Sequence, residues 1–196
     1  MSVTLPTTPV PRSITPRLIT ARADLRSAFG GSTQRISRTG SRWAYDVELP
    51  PMTAASALAW ITALSETDTC ILNIPEPGIT IGSPGTPLVN GGSQTGSSLV
   101  TDGWTASYVI PQGKWLSVSV SSLLYLHVTT AAVTANGSGQ ATLSVFPPLR
   151  ASPADNAALN VNPAKIEGFL NLGDSAYGIS VNRLVEGFAF SIEERK

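Results

Sequence analysis

The plainest pattern in the chain is alternation. Trp43, Tyr45, Val47 and Leu49 are apolar, and Ala44, Asp46 and Glu48 separate them. Successive side chains of a strand point to opposite faces, so this period of two predicts a strand with one wet face, stopped by Pro50-Pro51. Residues 14–26 read as an edge strand, because Pro16 cannot donate to a central ladder. Gly30-Gly31 then makes a turn before a strand over 33–38. Thr69–Ile74 reads as a buried strand, ended by Pro75 and Pro77. Alternation returns at 104–110, 116–120 and Leu123–Thr129, with Ser121-Ser122 turning the chain between the last two. Asn136-Gly137 is a hairpin signal ahead of Ala141, Leu143 and Val145, and Pro147-Pro148 ends that strand. Further strands are predicted over 164–170 and at Phe188, Phe190 and Ile192.

One stretch has the helical period. Thr53 is a good N-cap, and Ala54, Ala57, Leu58, Ile61 and Leu64 fall on one face of a helix over 54–66. Trp60 lies off that stripe, free to cover a second sheet or a partner. Residues 75–102 are rich in Gly, Pro, Ser and Thr and read as a projecting loop or small insertion. Many short strands, frequent turns and one helix predict a single mainly β domain over 1–196, a split β-barrel or sandwich. No period of 20–50 residues repeats.

Composition adds one unusual fact. Only 13% of the 196 residues are charged, where a globular domain averages roughly 25%. Net charge is zero, which gives a free monomer little colloidal protection. A surface so poor in charge is expected to be covered by other subunits. The balance also hides an asymmetry. Residues 1–42 hold Arg12, Arg17, Arg22, Arg26, Arg35, Arg38 and Arg42 against one acid, Asp24. That part is +6 and the remainder, with six bases and twelve acids, is −6. The arginines lack lysines and interleaved aromatics, which argues against specific nucleic-acid binding. An exposed arginine-rich hairpin is one reading. The sharper one has these seven arginines contacting an acidic face of a neighbouring subunit or another partner, since the guanidinium fork pairs carboxylates bidentately.

Candidate chemistry is sparse. His127, the only histidine, sits in an apolar strand, and no G-x-S-x-G elbow accompanies it. One Cys and one His give none of the paired spacings that zinc needs, and no cofactor is expected. Gly91 and Gly96 imitate a phosphate loop, but Ser97 stands where its lysine must be. Asp46 and Glu48 share a strand face, as an acid–base pair would, yet solvated polar positions do the same. Asn136-Gly137-Ser138 fits a glycosylation sequon but reads better as a turn. Cys70 reads as a small buried hydrophobe. The opening residues have no apolar core of signal-peptide length, and no stretch approaches the ~20 apolar residues that span a bilayer.

Two stretches carry a resemblance. SRWAYDVELPPMTAASALAWITALSE at 41–66 runs from an aromatic-rich strand through a double proline into a helix bearing alanines and Trp60. YLHVTTAAVTANGSGQATLSVFPPLRASPADNAALNVNPAKIEGFL at 125–170 combines strands, a Gly-rich turn, and the runs ATLSVFPPLR and KIEG. Together with MSVTLPTTPVPRSITPRLITARADLR they resemble tail proteins of long-tailed, non-contractile bacteriophages, most closely the distal tail protein. The resemblance implies a non-enzymatic virion subunit at the tail tip, made in the host cytoplasm. It implies a split β-barrel with a helix, forming a homo-hexameric ring around a central channel. The implied partners are the tail tube protein, the baseplate hub protein and the tape-measure protein, with no membrane. A galectin-like second domain of that family does not fit this length, so 75–102 would be a reduced insertion. Two other function classes stand beside this one: a receptor- or glycan-binding tip module using 75–102 and Trp104, and a cell-wall hydrolase. A tube subunit or tail terminator remains within the structural class.

Overall fold

The computed structural model describes residues 2–26, 28–65, 68–76, 80–173 and 177–195. In chain order the elements begin with β1 (Val3–Thr4), β2 (Ser13–Ile19), β3 (Arg22–Leu25), β4 (Gln34–Ser37), β5 (Arg42–Glu48) and β6 (Met52–Thr53). Next come α1 (Ala54–Ser65), β7 (Thr69–Ile74), β8 (Gly85–Val89), β9 (Gly96–Trp104), β10 (Val109–Ile110), β11 (Trp115–Val120) and β12 (Leu123–Thr129). The chain ends with β13 (Val133–Thr134), β14 (Ala141–Leu149), β15 (Leu159–Asn160), β16 (Ala164–Asn171), β17 (Gly178–Ile179), β18 (Leu184–Glu186) and β19 (Ala189–Glu194).

Two six-stranded sheets organise the chain. The main sheet has the order β1-β7-β16-β19-β5-β2, and only β1 and β7 run parallel. The second, β15-β11-β12-β14-β9-β8, is built between β7 and β16. It curls until its two edges meet. Leu88 bridges Ala158, and backbone bonds join Val89 N to the Ala157 carbonyl and Asn156 N to the Val89 carbonyl, each at 2.9 Å. The sheet is therefore a nearly closed barrel, which leaves little unpaired strand edge to attract another chain. The mainly β class with one helix is thus observed.

Alternation fills both interiors. Tyr45, Val47, Leu72, Ile74, Ile166, Phe190 and Ile192 project from the main sheet into a core shared with α1. Val89, Leu99, Leu116, Val118, Leu143 and Val145 fill the barrel. Leu126 of β12 belongs to the first core, so a barrel strand helps to cover the main sheet. Close approach also matters where β16 meets β19, because a Cβ on Gly168 would collide with the Glu193 carbonyl.

Four expectations need correction. The segment 75–102 is not a projecting loop: 85–89 and 96–104 are strands of the barrel, and 77–79 lie outside the described residues. Small polar residues misled there. Leu88, Val89, Leu99, Val100 and Trp104 suffice for a hairpin whose inward positions Val89, Leu99 and Trp104 are buried. Pro147-Pro148 does not end a strand either, since β14 runs to Leu149. Its pairing with β9 is irregular between Ser144 and Leu149, and a register break frees prolines from the ladder. Nor is 104–110 one strand. Trp104 closes β9, and a turn carrying the Tyr108 N to Thr105 carbonyl bond precedes β10.

The helix is turned relative to its expected stripe. Ala57, Trp60 and Leu64 are buried, Ile61 is half-buried, and Leu58 is 62% exposed. Positions 57, 60, 61 and 64 have the same i, i+3, i+4, i+7 spacing, and the larger side chain decides between the two faces. Trp60 packs against Phe190 with ring centroids 6.0 Å apart and donates its Nε1–H to the Thr8 carbonyl at 3.2 Å. Thr53 caps the helix as expected, its Oγ1 lying 3.5 Å from Ser56 N. The expected final residue, Glu66, lies outside the described residues. Urea denaturation should show Trp60→Ala losing about 3–5 kcal/mol of stability, as large-to-small core changes do. Leu58→Ala should stay within about 0.5 kcal/mol; the reverse ranking would restore the expected stripe.

Candidate interaction surface and its supporting seam

The seven arginines divide into two groups. Strand alternation puts Arg42, Asp46 and Glu48 of β5 on the face opposite Trp43, Tyr45 and Val47. There Arg17 grips Asp46 with Nε at 2.9 Å and Nη2 at 3.3 Å, Arg12 lies 3.7 Å from Glu48, and Arg42 pairs with Glu193 through Nε at 3.0 Å. Asp46 and Glu48 are therefore members of an ion-pair ladder and not a carboxylate pair awaiting substrate. Arg35 makes a fork to Asp24 across β3 and β4, at 2.8 and 3.1 Å. That contact holds the Asp24 carboxyl below its ordinary value. Arg22 also acts on Asp24 without making an ion pair with it, and neither Arg26 nor Arg38 has an acidic partner among the described residues.

Those three belong to a separate structure. β3 and β4 pair only with each other and form a two-stranded arm between β2 and β5. Every residue of β3 is exposed, as are Leu25 at 53% and Phe29 at 99%. The arm is anchored at its base, where Arg38 N donates to the Ala21 carbonyl at 2.9 Å and Ala21 N to Ser41 Oγ at 3.2 Å. A two-stranded ribbon is at best marginally stable alone, so apolar Leu25 and Phe29 on its surface mark it as something that lies against another body.

Behind this surface runs a polar seam that composition did not reveal. Three carboxylates of the main-sheet half accept backbone N–H groups from barrel strands. Glu76 takes Trp115 N at 2.9 Å, Glu167 takes Leu124 N at 2.9 Å, and Glu194 takes Leu126 N at 2.6 Å. Glu194 also accepts Trp43 N at 2.7 Å and pairs with Arg150 at 2.9 Å. Its side chain is 1% exposed. Burial raises its pKa, while Arg150 and the two amides pull it back. Glu76 forms a buried pair with Lys114, each 3% exposed. One signal was legible: Phe190, Ile192 and Glu194 alternate, which places Glu194 on the apolar face. Glu76 and Glu167 carry no such mark.

The remaining candidates are occupied by structure. His127 is buried, with Nδ1 2.7 Å from the Pro147 carbonyl. Burial pushes its pKa down to about 4, with Arg150 adding to the effect. Cys70 is buried and its thiol is pushed up to about 12, chiefly by burial. Gln94 fills the imitation phosphate loop, donating to the Asn90 and Gly91 carbonyls and accepting Val100 N. Trp104 is 5% exposed, stacked on Tyr108 and hydrogen-bonded to Thr101. It offers no platform for a sugar. Asn136 Oδ1 accepts Ser138 N and Gln140 N, as the turn reading expects. Among the described residues no group of three or more His, Cys, Asp or Glu side chains could hold a metal. Among those residues no helix is long and apolar enough to cross a membrane. The sequence matches no known family model and no characterised protein.

Two measurements test the seam. Glu194→Gln should lose about 3–5 kcal/mol in chemical denaturation, because Arg150 would be left a buried, uncompensated cation. A loss below about 1 kcal/mol would mean the pair is dispensable. His127 has a folded pKa below its unfolded value near 6.5, so the unfolded chain binds the extra proton first. Its contribution is present above pH 6.5 and is lost as pH falls toward 4, by about 3 kcal/mol in all. His127→Asn should flatten that part of the stability–pH curve, and an unchanged slope would refute the assignment.

Proposed function

We propose that this chain is a structural, non-enzymatic subunit of a bacteriophage tail tip, joining the tail tube to the baseplate hub as a homo-oligomeric ring. The observation that carries this reading is the exposed arm of β3 and β4. It is a ribbon outside both cores, carrying Arg22, Arg26 and Leu25 where an isolated protein has no use for them. A heterologous contact of one patch on a different patch of the next copy makes a ring when its rotation closes. The arm is one such patch. Acids of 43–196 that no arginine of residues 1–42 holds, such as the exposed Asp68, Asp155 and Glu186, supply the unlike surface.

Other features agree. A chain with 13% charged residues depends on neighbours to cover its exterior, and a nearly closed barrel presents a rigid body for them to stack on. By the resemblance in 41–66 and 125–170, the ring is a hexamer surrounding a channel, with the tube protein, the hub and the tape-measure protein as its neighbours. The seven arginines then act in two ways. Arg12, Arg17, Arg35 and Arg42 stiffen the surface through carboxylates of their own chain, while Arg22, Arg26 and Arg38 face outward to partners.

Native mass spectrometry and negative-stain images of the purified protein should show closed rings with a central opening. Replacing 22–37 by a two-residue turn should leave single subunits that melt like the parent, since neither core includes the arm. A parent protein that stays a single unit and is absent from virions would overturn the proposal.

A further inference from the structure

One apolar row of the molecule begins in a core and ends in the open. Met52 of β6 pairs with Val185 of β18, and Val185 pairs with Ile179 of β17, so the three side chains stand side by side on one face of a three-stranded sheet. Met52 and Val185 are buried, whereas Ile179 is 74% exposed and Val181, two residues on, is fully exposed. β17 is the last strand of its sheet, with no strand beyond it among the described residues. It carries neither proline nor a charged side chain, the usual devices that blunt a free edge. By contrast β2, one free edge of the main sheet, carries Pro16.

The arm is a second edge of the same kind. Register separates its two faces: Arg22, Asp24 and Arg35 lie on one, while Ala23, Leu25 and Ile36 lie on the other. Ile36 is half-buried, but every residue of β3 is exposed, so the ribbon leaves the outer edge and the apolar side chains of β3 uncovered. The polar faces are complementary in charge. Glu186 of β18 is exposed and has no basic partner among the described residues. It stands opposite Gly178, where an added Cβ would meet nothing, so the space over β17 on that face is open. A side chain as long as arginine, on a strand added beyond β17, can cross that space. Arg22 is the guanidinium left over on the polar face of β3, since Arg35 holds Asp24 in a fork.

We propose that β17 of one copy lies along β3 of the next, so that β6, β18 and β17 of one chain and β3 and β4 of its neighbour form a single sheet. On the apolar face of that sheet Ile179 meets Ala23 or Leu25. On the polar face Arg22 reaches over Gly178 to Glu186. Backbone bonds along the shared edge supply the attraction, and the side chains of the two faces set the register. The neighbour's strands also give the arm what a two-stranded ribbon lacks for stability. Edge and ribbon are different patches of one chain, so each copy offers both and the contact can close a ring. This inference rests on the ring reading above and names the surface that receives the arm.

Disulfide trapping on the full-length chain, whose own Cys70 is buried, tests the pairing directly. Ile179→Cys combined with Leu25→Cys or with Ala23→Cys should, for at least one of the two pairs, give oxidised products linked between copies, because neighbours across a strand pair lie within disulfide reach. Val100→Cys in place of Ile179→Cys should give none. A charge swap tests the polar face. Glu186→Arg should raise the concentration at half-assembly about tenfold or more, since it sets like charges together. Arg22→Glu should do the same, and the two together should restore assembly. Ile179, Glu186, Leu25 and Arg22 belong to neither core, so these variants should melt like the parent. Rings that form with neither cross-link, or a double swap that assembles no better than the single ones, would overturn this pairing and leave the ring itself standing. A parent that never assembles would overturn both.

Discussion

Two sheets with separate apolar interiors must be held in one orientation, and carboxylates do this work. Glu76, Glu167 and Glu194 reach from the main-sheet half and accept amides of β11 and β12. Apolar contact is non-directional and would tolerate sliding. A charged acceptor bound to a particular amide does not, because moving off it leaves both groups buried and unpaired. Lys114, Arg150 and Arg195 compensate the charge at the three points. The junction is thus rigid through its penalty for error more than through any net attraction.

That rigidity reaches the surface. Glu194 binds Trp43 N in β5, and its neighbour Glu193 holds Arg42 on the other face of the same strand pair. Side chains 193 and 194 point to opposite faces, so one stretch of β19 fixes both the seam and the ion-pair ladder. Trp43, Tyr45 and Trp115 pack edge to face beside it, with Trp115 centroids 4.8 and 5.8 Å from the other two rings. The arm emerges from this braced region at 20–41. A marginal ribbon can present arginines in a defined direction only if its base is immobile.

Assembly draws on the arm's outward surface, where Leu25 and Phe29 accompany Arg26. Arginine serves there because its charge persists at any accessible pH and its donors are fixed in a plane.

Period-two alternation was enough to establish a β-rich chain with one helix, since the geometry of a strand acts locally on every residue. Thr53 as a cap, Trp43 to Val47 as a half-wet strand, and an arginine-rich ribbon ending near Arg38 were all legible for that reason. Segment 75–102 was not, because small polar residues are compatible with a loop and with a barrel hairpin alike, and only pairing with β14 and the bridge to Ala158 distinguish them. The helix face depended on whether Leu58 or Trp60 met Phe190, a contact 130 residues distant in the case of Trp60. Which arginines are neutralised likewise turned on partners such as Glu193. Sequence determined what each segment could be; the tertiary structure decided which charges and edges were left over, because cancellation requires groups that only folding brings together.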